Sequence, residues 1–162
     1  MNKICGLPPI IDGKSGILIL GSFPSPMSLK QQEYYGNPRN HFWLIMAEML
    51  QEPLPADYES KKRMLLKHGV ALWDVLSSCC RNGAADAQIE EPEINELESF
   101  VRKYSQLKAA FFNGRMAEKI FKMHYEEFPL PCAYLPSTSP AHARYWGEKI
   151  SEWKKILQYL PS

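Results

Sequence analysis

The sequence predicts an α/β fold: a three-layer α/β/α sandwich around a four-stranded, mostly parallel central sheet. Three observations predict it. Four short runs, at 17–21 (ILILG), 70–75 (VALWDV), 109–113 (AAFFN) and 132–135 (CAYL), are too brief for helices and apolar enough to be buried as parallel strands. Between them apolar residues recur every three or four positions, the spacing of amphipathic helices. The 162 residues, 45% hydrophobic and 23% charged, suit a single domain spanning 1–162 with its own core.

In chain order, residues 1–14 contain Gly6, Pro8, Pro9 and Gly13 and read as an irregular lead-in, with Leu7, Ile10 and Ile11 tucked against the sheet. The first strand stops at Gly21. In Ser22-Phe23-Pro24-Ser25-Pro26 two prolines oppose further strand or helix pairing, so the backbone leaves the sheet as a loop. That place, beyond the carboxyl end of a central strand, is where open α/β sheets bind ligands. Residues 34–43 (YYGNPRNHFW) then mix aromatic rings with Asn, Arg and His. Such a set suits a planar, hydrogen-bonding ligand such as a nucleobase with its phosphate; it equally suits an aromatic cover over one end of the core.

Residues 40–50 place Phe42, Trp43, Met46, Met49 and Leu50 at helical spacing behind Asn40 as N-cap, and Pro53 and Pro55 end the helix. Residues 57–68 form a half-exposed helix stopped by Gly69. Asp74 lies near the end of the second strand, facing the same crevice as Gly21, where it orients a loop or a water or else caps the next turn. Residues 77–92 are polar and read as a loop, with Asp86, Glu90 and Glu91 solvated. Ile94, Leu97, Val101 and Tyr104 make 93–104 an amphipathic helix. Asn113-Gly114 ends the third strand at another crevice position, before a helix carrying Met116, Ile120 and Met123. Pro129 and Pro131 precede the fourth strand, which breaks at Pro136. Residues 144–160 align Trp146, Ile150, Trp153, Leu157 and Leu160 on one face of a final helix.

Net charge, +1, says nothing about a nucleic-acid partner, since phosphate contact depends on a local patch. The four cysteines, Cys5, Cys79, Cys80 and Cys132, have no C-x-x-C pair and no zinc-finger histidine spacing, so neither a structural metal nor a disulfide framework is expected. Cys79-Cys80 reads as a redox pair or, better, as small residues closing a buried strand. No apolar run nears the roughly twenty residues of a membrane span, and residues 1–5 lack a secretory pattern, so the expected place is the cytoplasm.

The second crevice loop is at 135–144, LPSTSPAHAR. Ser137, Thr138 and Ser139 offer hydroxyls and amides to phosphate oxygens, Pro136 and Pro140 stiffen the loop, and His142 and Arg144 add positive charge at its exit. With GSFPS at 21–25 and LPSTSPA at 135–141, the chain resembles the uracil-DNA glycosylase superfamily. The string YYGNPRNHFW is similar to the hypoxanthine-DNA (deoxyinosine) glycosylase family within it. Nearly the whole chain is covered by this resemblance.

The resemblance implies a monofunctional glycosylase of base excision repair that flips out a deaminated base, hypoxanthine or else uracil or xanthine, and hydrolyses its bond to the sugar without a cofactor. DNA is the implied partner, and a monomer the implied state. Mismatch-specific members have Asn where this chain has Phe23, so the resemblance moves the water-positioning role to Asn40. Acidic residues are absent from GSFPS, and the cysteine spacing lacks an iron-sulfur ligand set. Gly21, Ser22, Phe23, Tyr35, Phe42 and Asn113 are the implied base-binding residues. Arg39, Pro136, Ser137, Thr138, Ser139, Pro140, His142 and Arg144 are the implied DNA contacts. Phe23 in place of Asn supports a different reading, a catalytically weak or inactive nucleic-acid-binding module of the same fold. A small-molecule α/β hydrolase is disfavoured because G-x-S-x-G is absent.

Overall fold

A computed structural model describes residues 3–81, 89–140 and 146–160. Strands β1 (Ile4–Cys5), β2 (Ile17–Gly21), β3 (Val70–Asp74), β4 (Leu76–Arg81), β5 (Ile89–Ile94), β6 (Ala109–Asn113) and β7 (Cys132–Leu135) alternate with helices α1 (Pro26–Gln31), α2 (Phe42–Met49), α3 (Tyr58–Lys67), α4 (Leu97–Lys103), α5 (Arg115–His124) and α6 (Trp146–Trp153). The central sheet has the order β3-β2-β6-β7 and every neighbouring pair is parallel. All four carboxyl ends therefore lie on one rim.

Strand residues alternate between faces, and the core divides accordingly. Ile17 and Ile19 of β2, Val70 and Leu72 of β3, Ala109 and Phe111 of β6 and Leu135 of β7 pack with α2, α3 and α6. Leu18, Leu20, Ala71, Ala110 and Phe112 pack with α4 and α5. This is the expected α/β/α sandwich. Continuing the alternation puts Gly21, Asp74, Asn113 and Leu135, the last residue of each strand, on the α2/α3/α6 face of the rim.

Several elements depart from the sequence reading. The expected loop at 77–92 contains β4 and β5, and the lead-in contains β1; these pair antiparallel as a second sheet, β1-β4-β5. Its strand β5, IEEPEI, is largely exposed and has no apolar face to betray it. Ile94 belongs to that strand, so the helix expected from 93 starts at Leu97. Cys79 and Cys80 are buried within β4. After Pro24 the chain forms α1, because Pro26 takes the first helical turn, where a missing N–H costs nothing, and the Ser25 hydroxyl accepts from Ser28 N at 3.1 Å. The final helix tightens to a 3₁₀ turn at Lys154–Tyr159, which leaves Leu157 39% exposed and turns Ile156 inward instead.

Trp153 joins this helical layer to the rim. It is fully buried, its indole Nε1 donates to Pro136 O at 2.9 Å, and its ring meets Phe42 edge-on at 5.9 Å. Trp153→Phe removes the donor and part of the ring while keeping an aromatic side chain. The expected loss of unfolding free energy is about 2 kcal/mol, read by urea denaturation with circular dichroism; an unchanged midpoint would contradict this account of the anchor.

Candidate active site

Gly21 occupies the centre of the rim. It stands in register with Asp74, and a Cβ at Gly21 would lie 2.6 Å from Asp74 Oδ1 and 3.2 Å from the Tyr35 hydroxyl. Only glycine lets the carboxylate and the phenol close over the strand end. Asp74 is 5% exposed, and its backbone carbonyl accepts from Asn95 Nδ2 at 2.8 Å. The loop after Gly21 is held from one side: Val75 N donates to Gly21 O at 2.8 Å and Leu76 N to Ser22 O at 3.1 Å. In a trans peptide the following N–H points opposite to the carbonyl, so the Ser22 and Phe23 amides turn away from that segment.

Tyr35 has φ 54°, a left-handed backbone that costs an ordinary side chain about 1 kcal/mol or more. What holds it there is packing, since its ring stacks on Phe42 at 4.2 Å and 22°. Burial, and then the charge of Asp74, pushes the phenol well above its usual pKa; a hydrogen bond with the Asn113 side chain acts the other way. The phenol is therefore an O–H donor at neutral pH. Phe42 is fully buried and supports Tyr35 from behind, with Trp43 edge-on to it at 5.0 Å. Phe23, 7% exposed, packs with Leu76 and Cys79 beside the small sheet.

Asn40 lies between Tyr35 and α2, at intermediate exposure. Its Oδ1 accepts from Phe42 N at 2.9 Å, so the amide does cap the helix start, one position before the helix's formal N-cap, His41. Arg39 is exposed on the same turn, whose backbone is fixed by Asn37 Oδ1 accepting from Arg39 N at 2.9 Å and Asn37 O accepting from Asn40 N at 2.9 Å.

The second loop meets the first directly. His41 N donates to Thr138 O at 3.1 Å. Thr138 N donates to Asn113 Oδ1 at 3.0 Å, and Asn113 Nδ2 donates to Thr138 Oγ1 at 3.0 Å. Thr138 is thus buried and tied at three atoms, while Ser137, Ser139 and Pro140 are partly exposed around it. Pro136 is buried beneath Trp153. Gly114, at φ +100°, lets the loop approach, since a Cβ there would sit 3.1 Å from Ser137 Cβ. His142 and Arg144 lie outside the described residues.

Two cations escaped the sequence reading. Arg81, at the end of β4, is buried; its Nη2 donates to Pro24 O at 2.8 Å and its guanidinium carbon stands 5.3 Å from the Phe23 ring centre. Lys149 of α6 is fully buried. Burial, and then the charge of Lys149, holds the His41 imidazole below its ordinary pKa of 6.5. Neither cation sits in a recognisable motif: Arg81 ends LSSCCR at the start of a polar stretch and Lys149 lies in WGEKISEW, so no local signal flags them. Among the described residues no group of three or more His, Cys, Asp and Glu is placed to hold a metal, and no helix is long and apolar enough to cross a membrane.

A family model of the Uracil DNA glycosylase superfamily matches residues 8–160. A protein of Methanosarcina acetivorans named hypoxanthine DNA glycosylase is 36% identical over 159 residues, covering 95% of this chain and 98% of its own. A Methanosarcina barkeri protein of the same name is 34% identical over 158 residues, covering 94% and 97%. An NMR solution structure from Methanosarcina acetivorans, provisionally described as a uracil DNA glycosylase, superimposes with a TM-score of 0.85 at 33% identity over 97% of this chain and 98% of that one. With a rim built from the ends of β2, β3, β6 and β7, and a family match spanning the whole sandwich, the chain belongs to the Uracil DNA glycosylase superfamily.

Proposed function

We propose that this DNA glycosylase removes a deaminated base from DNA by hydrolysis, hypoxanthine first and uracil or xanthine after it, and leaves an abasic site for base excision repair. The observation that carries the reading is Asn40. Its amide is fixed by the Phe42 N–H on a turn bonded to the Thr138 loop, at the rim that also presents Gly21 and Tyr35. The names of the two Methanosarcina relatives support hypoxanthine as the base.

A base inside a duplex is out of reach, so the nucleotide is flipped out at a cost of a few kcal/mol. Ser137, Ser139 and Pro140, with Arg39, hold the flanking phosphates and the vacated stack. Tyr35 offers the everted base the ring face that Phe42 does not cover, a contact worth about 1–3 kcal/mol. As the bond from the sugar C1′ to the base breaks, its electron pair goes to the base and the sugar becomes oxocarbenium-like. The Ser22 and Phe23 amides donate to the base as that charge builds, which favours the transition state over the ground state. Asn40 Oδ1 keeps a second lone pair beside its Phe42 bond and accepts an O–H of the attacking water. An amide takes no full proton at neutral pH, so Asn40 aims and polarises the water. The proton leaves to solvent or to the departing base. His41 stays neutral next to it because its pKa is depressed.

Two measurements check this. A labelled duplex with one deoxyinosine, treated with protein and then alkali, should break only after alkali, and Asn40→Ala should slow release by about 10²–10³-fold. Intact strands with hypoxanthine, uracil and xanthine alike, whether single- or double-stranded, would overturn the function. Salt-dependent binding without base release would establish the binding module in its place. The second measurement concerns His41. Its folded pKa lies below the unfolded 6.5, so below that pH the unfolded chain binds more protons and stability falls as pH falls. His41→Gln should flatten the drop in unfolding free energy between about pH 7 and pH 5 relative to the wild type; an identical slope would contradict the depressed pKa.

A further inference from the structure

The small sheet β1-β4-β5 has no part in the chemistry described so far, yet it reaches the loop after β2 at several points. Leu76 N holds Ser22 O, the adjoining Val75 N holds Gly21 O, and Arg81 Nη2 holds Pro24 O at 2.8 Å. Three of the four carbonyls from Gly21 to Pro24 are thus fixed by one segment, 75–81. Of these contacts only the one from Arg81 is made by a side chain. The same guanidinium lies 5.3 Å from the Phe23 ring centre, and the ring is packed on its other sides by Leu76, Cys79 and the backbone at Gly6, where a Cβ would stand 3.3 Å from it.

From this geometry we infer that Arg81 is a positioning residue of the glycosylase reaction: it locks Phe23-Pro24 so that the Phe23 amide stays aimed at the leaving base. Arg81 touches no substrate. It acts through the loop, and the inference rests on the role proposed above for that amide. The fork matters for this task, because one N–H bonds the Pro24 carbonyl while the cation stands within cation–π range of the Phe23 ring. A lysine has one ammonium to serve both and holds the two less firmly. With the fork gone, a single bond, Leu76 N to Ser22 O, is left to hold the Ser22–Phe23 peptide, and the Phe23 amide tilts about it as Phe23 and Pro24 shift, while the Gly21–Ser22 peptide keeps its aim. An amide that serves only the transition state loses alignment, and the bond-breaking step suffers more than DNA binding does.

The test compares wild type, Arg81→Met and Arg81→Lys by single-turnover release from a deoxyinosine duplex, together with the duplex dissociation constant and the urea midpoint. The expected result is a fall in the release rate of about 100-fold for R81M, with duplex affinity within about threefold of wild type. R81K should recover part of the rate, and free guanidinium at millimolar concentration should partly rescue Arg81→Ala. R81M rates within twofold of an active wild type would overturn the inference and leave the function standing. So would a rate loss matched by an equal loss of affinity or of folded protein, with no recovery in R81K. A wild type inactive on every deaminated base would overturn the function itself, and this inference with it.

Discussion

Thr138 is the point on which the rim depends. Its carbonyl receives His41 N–H, its amide is accepted by Asn113, and its hydroxyl receives the Asn113 amide, with all three distances between 3.0 and 3.1 Å. Three separate elements, the turn before α2, the end of β6 and the loop after β7, are thereby fixed to one buried residue. Each bond alone contributes about 1 kcal/mol net, but leaving any of these buried groups unpaired costs about 1–3 kcal/mol, so the set persists or fails together. The mutual distance of Asn40 and the second loop follows from this tie.

Strand parity explains why the tie occurs where it does. In an all-parallel sheet the four carboxyl ends share a rim, and a period of two selects one residue from each strand for the helical layer of α2 and α6. Those residues are Gly21, Asp74, Asn113 and Leu135. Glycine leaves room for Asp74 and Tyr35, the asparagine grips Thr138, and the leucine closes the core beneath. Electrostatics follows from the same burial: the Tyr35 phenol stays protonated beside Asp74, and His41 stays neutral near Lys149.

Much of this was legible in the sequence. The four strands of the central sheet announce themselves as short apolar runs, of which β2, β3 and β6 are buried on both faces while β7, at the sheet's edge, buries only Leu135; the prolines and glycines at 21–26 and 136–140 mark where the chain leaves that sheet. Other features were not legible. IEEPEI forms a strand through backbone pairing at the edge of a small sheet, with no apolar alternation to signal it. Pro26 reads as a breaker but sits at the one helical position that tolerates it. Phe42 looks like a ligand-stacking ring in YYGNPRNHFW, yet its place at the helix start turns it into the core, so that it backs Tyr35. Arg81 and Lys149 acquire meaning only from what surrounds them in space, which no local pattern records.

The turn carrying Asn40 and the loop after β7 work as one unit because Asn113 holds Thr138, whose carbonyl takes the His41 N–H. A double-mutant cycle on the rate of hypoxanthine release measures this directly, using Asn113→Ala, Thr138→Val and the double variant. Strong coupling is the predicted result: each single change slows release, and the double variant is little slower than Asn113→Ala, with an interaction energy of about 1 kcal/mol or more. Additive effects, or single variants as fast as the wild type, would contradict it.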